Sequence, residues 1–91
     1  MADIDVRLAE PGEVSAFEVT VTEADTSTTH RVTVSDMEIG RLAVGYGNEQ
    51  DFIRACFEFL LAREPKEQIL PSFDVTDISR YFPEFERAIR R

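Results

Sequence analysis

The hydrophobic period of this chain changes once, and that change limits what the chain can fold into. Up to residue 34, apolar and polar residues alternate in three segments, which predicts half-buried β-strands. From Ser35 onward, apolar residues recur every three or four positions, which predicts helices. The pattern therefore indicates an α+β domain. The apolar strand positions are Ile4, Val6 and Leu8, then Phe17, Val19 and Val21, then Val32 and Val34.

Turn signals between the strands favour an antiparallel meander. Pro11-Gly12 marks a turn after the first strand, and the polar stretch from Glu23 to Thr29 is expected to separate the second strand from the third. Short connections and one polar face per strand are typical of antiparallel pairing. We therefore predict a three-stranded antiparallel sheet with helices packed on one face, in the order β-β-β-α-α-α.

The second helix is expected to be the centre of the fold. Ser35 and Glu38 fit a capping box for the first helix, and Asn48 can cap a second helix that runs to about Arg63. Apolar residues cover more than half the circumference of this second helix, which exceeds what one sheet face requires. The apolar residues of segment 69–89 are therefore expected to cover its far side.

Prolines divide the C-terminal region. Pro65 stops the second helix, and Pro71 breaks the chain again. A short helix capped by Asp74 or Thr76 is expected next. Pro83 suits the first turn of a last helix.

Charge is distributed unevenly along the 91 residues, whose net charge is −8. Residues 1–51 carry three basic and eleven acidic side chains, whereas residues 52–91 carry seven of each. An acidic excess serves solubility and disfavours binding to nucleic acid or to an anionic membrane. Because no apolar stretch is long enough to cross a bilayer and no signal-peptide pattern is present, we expect a single cytoplasmic domain without a membrane partner.

Residues that could carry chemistry are few. We expect His30, the only histidine, to lie exposed at a strand end, and Cys56, the only cysteine, to be a buried, inert thiol. The chain contains no calcium-loop or phosphate-loop pattern, and its Asp3 and Asp5 carboxylates share a polar strand face. We therefore expect no catalytic residue, no cofactor and no metal site.

Two segments carry the residues most suited to an interaction surface. Segment 63–67 is a charged corner bent by proline, and segment 79–91 interleaves arginines with aromatic residues. Arginine beside aromatic residues is typical of protein interfaces and of base-stacking surfaces. A helix C-terminus and a solvated helix face would explain the same residues. The candidate interaction residues are Arg63, Lys66, Arg80, Tyr81, Arg87, Arg90 and Arg91.

The same part of the chain resembles a group of small uncharacterised bacterial proteins. The similar segments are Phe57–Leu70 and Phe73–Phe85, whose sequences are FEFLLAREPKEQIL and FDVTDISRYFPEF. Proteins of that group have about this length and also begin with alternating strands. The resemblance implies a stand-alone domain of the bacterial cytosol, and it assigns no activity, cofactor or functional residue.

The function that these features favour is a non-catalytic module that binds another protein or forms a homodimer. Free strand edges and an apolar helix that needs cover motivate this hypothesis. One alternative is a regulator that contacts nucleic acid through its C-terminal arginines, and another is a small-ligand binder or an enzyme. Binding to phosphate should weaken steeply as salt rises, whereas an apolar interface should not.

Overall fold

The first three strands form a meander, as the alternating pattern predicts. The computed structural model describes residues 2–90. Strand β1 (Asp3–Glu10) pairs antiparallel with β2 (Val14–Glu23), which in turn pairs antiparallel with β3 (Thr26–Ser35). The predicted apolar positions of β2 and β3 are fully buried in the core. In β1, Ile4 and Val6 pack against the same core while partly buried, whereas Leu8 is 45% exposed.

A fourth strand makes the sheet mixed, so the predicted three-stranded antiparallel sheet is incomplete. Strand β4 (Ser72–Asp74) runs parallel to β3 and places Phe73 beside Val32. The strand order is β1-β2-β3-β4. Three residues are too few for an alternating pattern to stand out, and Pro71 beside them indicates only a break in the chain.

The connection between β2 and β3 is shorter than predicted. A tight turn at Ala24-Asp25 joins them, with Ala24 at a φ of 56°. Most of the expected polar loop over residues 23–29 is therefore strand. Threonine fits a pleated surface because it is β-branched, but its polarity conceals the strand from a hydrophobicity pattern. This correction moves His30 from a strand end to the middle of β3.

In the part of the chain that the structure describes, four helices follow the meander, whereas the predicted order β-β-β-α-α-α has three. The first two begin after Ser35 and Asn48, whose side chains accept hydrogen bonds from backbone N–H groups as predicted. The two short helices expected on either side of Pro83 are both present, so the predicted order is one helix short. They are separate because the chain leaves the helical conformation at Phe82. The helices are α1 (Asp36–Leu42), α2 (Glu49–Leu61), α3 (Val75–Tyr81) and α4 (Phe85–Ile89), with a 3₁₀ turn at Lys66–Gln68 between α2 and β4. The α+β class is confirmed, and none of the helices within residues 2–90 has the length and apolarity to cross a membrane.

The predicted central position of the second helix is confirmed. Phe52, Ile53, Cys56 and Phe57 of α2 are fully buried and belong to the same apolar cluster as the inward-facing residues of β2 and β3. The far side of α2 is covered by α3 and α4, with the rings of Phe59 and Phe85 5.1 Å apart in an edge-to-face arrangement. Helix α2 is thus enclosed between the sheet and the C-terminal helices.

Charged contacts hold α4 in this position. Arg41 of α1 donates from both terminal nitrogens to Glu86 at 2.8 Å, and this bonding lowers the pKa of the Glu86 carboxyl. Arg63, just after α2, donates to Glu84 at 3.1 Å. Pairs as exposed as these contribute little stability individually, so their main effect is to orient α4 over the core.

Truncation of the central helix should destabilise the whole domain. Phe57 contacts the rings of both His30 and Phe73, so Phe57→Ala leaves a cavity that neither the sheet nor α2 can close. We expect the free energy of unfolding, measured by urea denaturation, to fall by about 3–5 kcal/mol. The exposed-site control Met37→Ala should change it by less than about 0.5 kcal/mol. An unchanged midpoint for Phe57→Ala would show that α2 is not the centre of the core.

Candidate functional site

A groove of about 350 Å³ opens between the C-terminal half of α2, the 3₁₀ turn and α3. Its buried surface is apolar and comes from α2, β4 and α3. Two large side chains at the groove remain accessible, because Leu70 is 45% exposed and Tyr81 is 67% exposed. The lining residues are Leu60, Glu64, Gln68, Ile69, Leu70, Phe73, Asp77, Ile78, Tyr81 and Phe82.

One wall of the groove is fixed to the sheet by His30. The prediction that this histidine is exposed is wrong. His30 is 2% exposed. Its Nδ1 lies 2.8 Å from the carbonyl oxygen of Leu70, and its Nε2 lies 2.8 Å from Oγ1 of Thr28. Because a carbonyl oxygen only accepts, Nδ1 carries a proton, and in the neutral ring Nε2 accepts from the Thr28 hydroxyl.

A second bond beside His30 fixes the same wall. The backbone N–H of Arg31 donates to the carbonyl oxygen of Pro71 at 2.8 Å. Two consecutive carbonyl groups, those of Leu70 and Pro71, are therefore bound to neighbouring residues of β3. With its backbone held in this way, Leu70 keeps its side chain at the groove rather than in the core.

The opposite wall is fixed by the start of α3. Asp74 caps this helix by accepting from the backbone N–H of Thr76, and Asp77 accepts from the backbone N–H of Asp74 in return. Thr33 of β3 donates to Asp74 at 2.6 Å. Partial burial raises the pKa of the Asp74 carboxyl, but the hydrogen bonds from Thr33 and Thr76 outweigh it and the pKa is lowered.

The charged side chains that line the groove are both acidic. Glu64 and Asp77 contribute carboxylates, and Gln68 and Tyr81 contribute neutral polar groups. Nη1 of Arg80 lies 3.9 Å from Oδ1 of Asp77. The Glu64 side chain has no hydrogen-bonding or ionic partner among residues 2–90. The groove thus combines an apolar interior with an uncompensated carboxylate.

Two of the seven candidate interaction residues serve the fold. The Arg63 guanidinium lies 3.5 Å from the centroid of the Phe59 ring and donates to the Phe59 carbonyl oxygen, besides its pair with Glu84. The Lys66 side chain is only 5% exposed, with its Nζ 2.8 Å from Glu67. Lys66 therefore lies inside the molecule rather than on an interaction surface.

Of the other candidates, Arg80 lies beside the groove, because its guanidinium is 3.9 Å from the groove residue Asp77. Arg80, Arg87 and Arg90 are exposed on or just beyond α3 and α4, and Arg91 lies outside the described residues. Tyr81 lines the groove. Leu70 and Glu64 also line the groove but are not among the candidate residues, although Glu64 lies within the charged segment 63–67. One sequence feature points to this region: the apolar residue Leu70 lies directly before Pro71 and shortly after the charged segment 63–67.

Other reactive groups lie away from the groove. Cys56 is buried as expected, and burial raises the pKa of its thiol far above the ordinary value. Within residues 2–90, no three His, Cys, Asp or Glu side chains are grouped so that they could hold a metal ion.

Comparison with protein-family models, with curated protein sequences and with solved structures finds no significant match to this chain.

Replacement of His30 should loosen the groove wall. His30→Phe keeps a ring in the core but leaves the Leu70 carbonyl oxygen and the Thr28 hydroxyl without their partner. We expect a loss of about 1–3 kcal/mol in the free energy of unfolding, together with faster hydrogen exchange at the Arg31 amide. Thr29→Val, at the exposed neighbouring position, should leave that exchange rate unchanged. Equal protection of the Arg31 amide in His30→Phe and in the native protein would contradict this role.

The Cys56 thiol should report global unfolding. Because the thiol is buried and its pKa is raised, little reactive thiolate is present in the folded protein. We expect alkylation by iodoacetamide at pH 8 to be slow without denaturant and to accelerate in step with unfolding in urea. Rapid alkylation of the native protein, with the unfolding midpoint unchanged, would show a local opening over α2.

Proposed function

We propose that this protein is a non-catalytic interaction module whose groove binds a segment of a partner protein. The segment presents an apolar side chain next to a lysine or arginine. The observation that carries the proposal is the groove itself, a concave apolar site held open by bonds to the sheet. The bacterial cytoplasm, expected from the sequence resemblance, is the compartment in which we propose that it acts.

Apolar lining supports the binding of an apolar group. Leu60, Phe73 and Ile78 are buried beneath the accessible side chains of Leu70 and Tyr81. A volume of about 350 Å³ is at the small end of the range for pockets that hold ligands or anchoring side chains. Tyrosine at the edge of such a site is typical of protein interfaces, because its ring offers a large rigid contact area.

Charge supports a basic neighbour to that apolar group. The unpaired carboxylate of Glu64 lies at the groove, and the whole chain carries a net charge of −8. A cationic side chain would gain from both the local and the overall field, whereas an acidic one would be repelled. The second carboxylate, that of Asp77, is engaged by the Asp74 backbone, which favours a structural role over acid–base chemistry.

The proposal can be tested by titration with two matched pools of synthetic peptides. Both pools carry a central Leu or Phe, flanked by Lys and Arg in one pool and by Asp and Glu in the other. We expect the basic pool to shift the amide NMR signals of Leu70, Phe73, Ile78 and Tyr81, and the acidic pool to shift them far less. For the best basic peptide, Tyr81→Ala and Leu70→Ser should each weaken Kd about tenfold.

Control titrations separate the groove from other surfaces. Met37→Ser and Val44→Ser change accessible apolar residues away from the groove and should leave Kd unchanged. Absence of any shift at groove amides with either pool would overturn the proposal. A single-stranded oligonucleotide that shifts Arg87 and Arg90, and whose binding is lost as salt rises, would replace it with the nucleic-acid alternative.

A further inference from the structure

Strand β1 leaves one long edge of the sheet without a neighbouring strand from residues 2–90. It spans eight residues, Asp3–Glu10, and pairs only with β2. At the opposite end of the sheet, the short β4 is followed directly by α3. An unpaired edge of this length carries backbone donors and acceptors that another strand can use.

The hydrogen-bond pattern of the sheet shows which residues of β1 direct their backbone N–H and C=O groups to the free edge. The Arg31 amide donates away from β2, to Pro71, so Arg31 and its partner Glu18 do not exchange ladder bonds. The backbone of Glu18 therefore points to β1, where its partner is Arg7. By alternation, the backbone N–H and C=O groups of the odd-numbered residues of β1 bond to β2. The backbone N–H and C=O groups of Ile4, Val6 and Leu8 therefore point to the free edge.

A contact at this edge agrees with that assignment. Nε of Arg54 lies 3.3 Å from the carbonyl oxygen of Ile4, which shows that this carbonyl is accessible from outside the ladder. The Arg54 side chain is partly exposed, so it can move aside if another donor approaches. The bulge between Leu8 and Glu10 ends the regular part of the strand.

The outward edge is complementary to itself in one register. If two copies of β1 run antiparallel about a two-fold axis at Val6, Asp5 of each copy lies opposite Arg7 of the other. On the opposite face, Ile4 lies opposite Leu8 of the second copy, and the two Val6 residues face each other. This register covers Leu8, which is 45% exposed, with apolar side chains.

Neighbouring registers are excluded by charge. An axis at Asp5 would place two carboxylates directly opposite each other, and an axis at Arg7 would do the same with two guanidinium groups. Like charges at directly opposed positions destabilise a strand pair. The arrangement of charges along β1 therefore selects the axis at Val6.

From these features we propose that two copies of this chain dimerise by antiparallel pairing of β1 about Val6, which makes one continuous sheet with four strands from each copy. This interface lies at the opposite end of the sheet from β4, whose Phe73 lines the groove, and it does not depend on the function proposed for that groove. The occupant is a second copy because the edge matches its own sequence in both charge and apolarity.

Charge reversals at the edge test the proposal through the oligomeric state, measured by sedimentation velocity over a range of concentrations. Asp5→Arg and Arg7→Asp each turn both interfacial charge pairs into like-charge pairs, so each variant alone should dimerise about tenfold more weakly. An equimolar mixture of the two variants should regain dimerisation, because the heterodimer pairs two arginines of one chain with two aspartates of the other. Within one chain Arg7 and Asp5 form an exposed ion pair at 3.2 Å, and because such a pair contributes little stability, the fold should be retained in both variants.

Matched controls keep net charge from explaining the result. Asp25→Arg, at the hairpin turn, changes the charge as Asp5→Arg does, and Arg87→Asp, on α4, matches Arg7→Asp. Neither control should alter dimerisation. A native protein that stays monomeric at millimolar concentration, or single variants that dimerise as well as their mixture, would overturn the proposal. Loss of the dimer in Tyr81→Ala, with none in the β1 variants, would assign self-association to the groove instead.

Discussion

The rest of the structure depends on the burial of α2 from two sides. Phe52 and Phe57 are fully buried in the core, and Phe59 meets the ring of Phe85 in α4. A helix that is apolar over so much of its surface cannot be stable on one sheet face alone. The C-terminal third of the chain is therefore a required part of the core, and its short helices derive their stability from α2 rather than from their own length.

The groove exists because the C-terminal segment that covers α2 consists of several short elements rather than one long helix. A 3₁₀ turn, a strand of three residues and the first turn of α3 follow one another around the end of α2. The segment from Leu70 to Asp74 is fixed by polar bonds to β3, through His30 near its start and Thr33 at its end. Since those bonds set the positions of the walls, side-chain packing alone does not close the space between them.

Repeated patterns and residue types with a strong local preference could be predicted from the sequence, whereas features that depend on tertiary contacts could not. Alternation and the wide apolar face of α2 extend over many residues, and Ser35 and Asn48 are residue types that favour helix N-caps. The polar first half of β3 lacks apolar alternation, so the sequence pattern predicts His30 at a strand end instead of in the middle of β3. The groove itself is not predicted by the sequence, and Tyr81 is the one candidate interaction residue that lines it. The burial of Lys66 depends on tertiary contacts, which no local pattern reveals.

The groove and the free edge of β1 lie at opposite ends of the sheet, and this separation has a consequence for binding strength. A dimer joined through β1 would carry its two β4 strands about seven strand spacings apart, or roughly 34 Å. A partner with two suitably spaced segments could then occupy both grooves at once. Its avidity could exceed the affinity of one groove by about 10²–10⁴ without any additional contact, and it would be lost whenever the dimer dissociates.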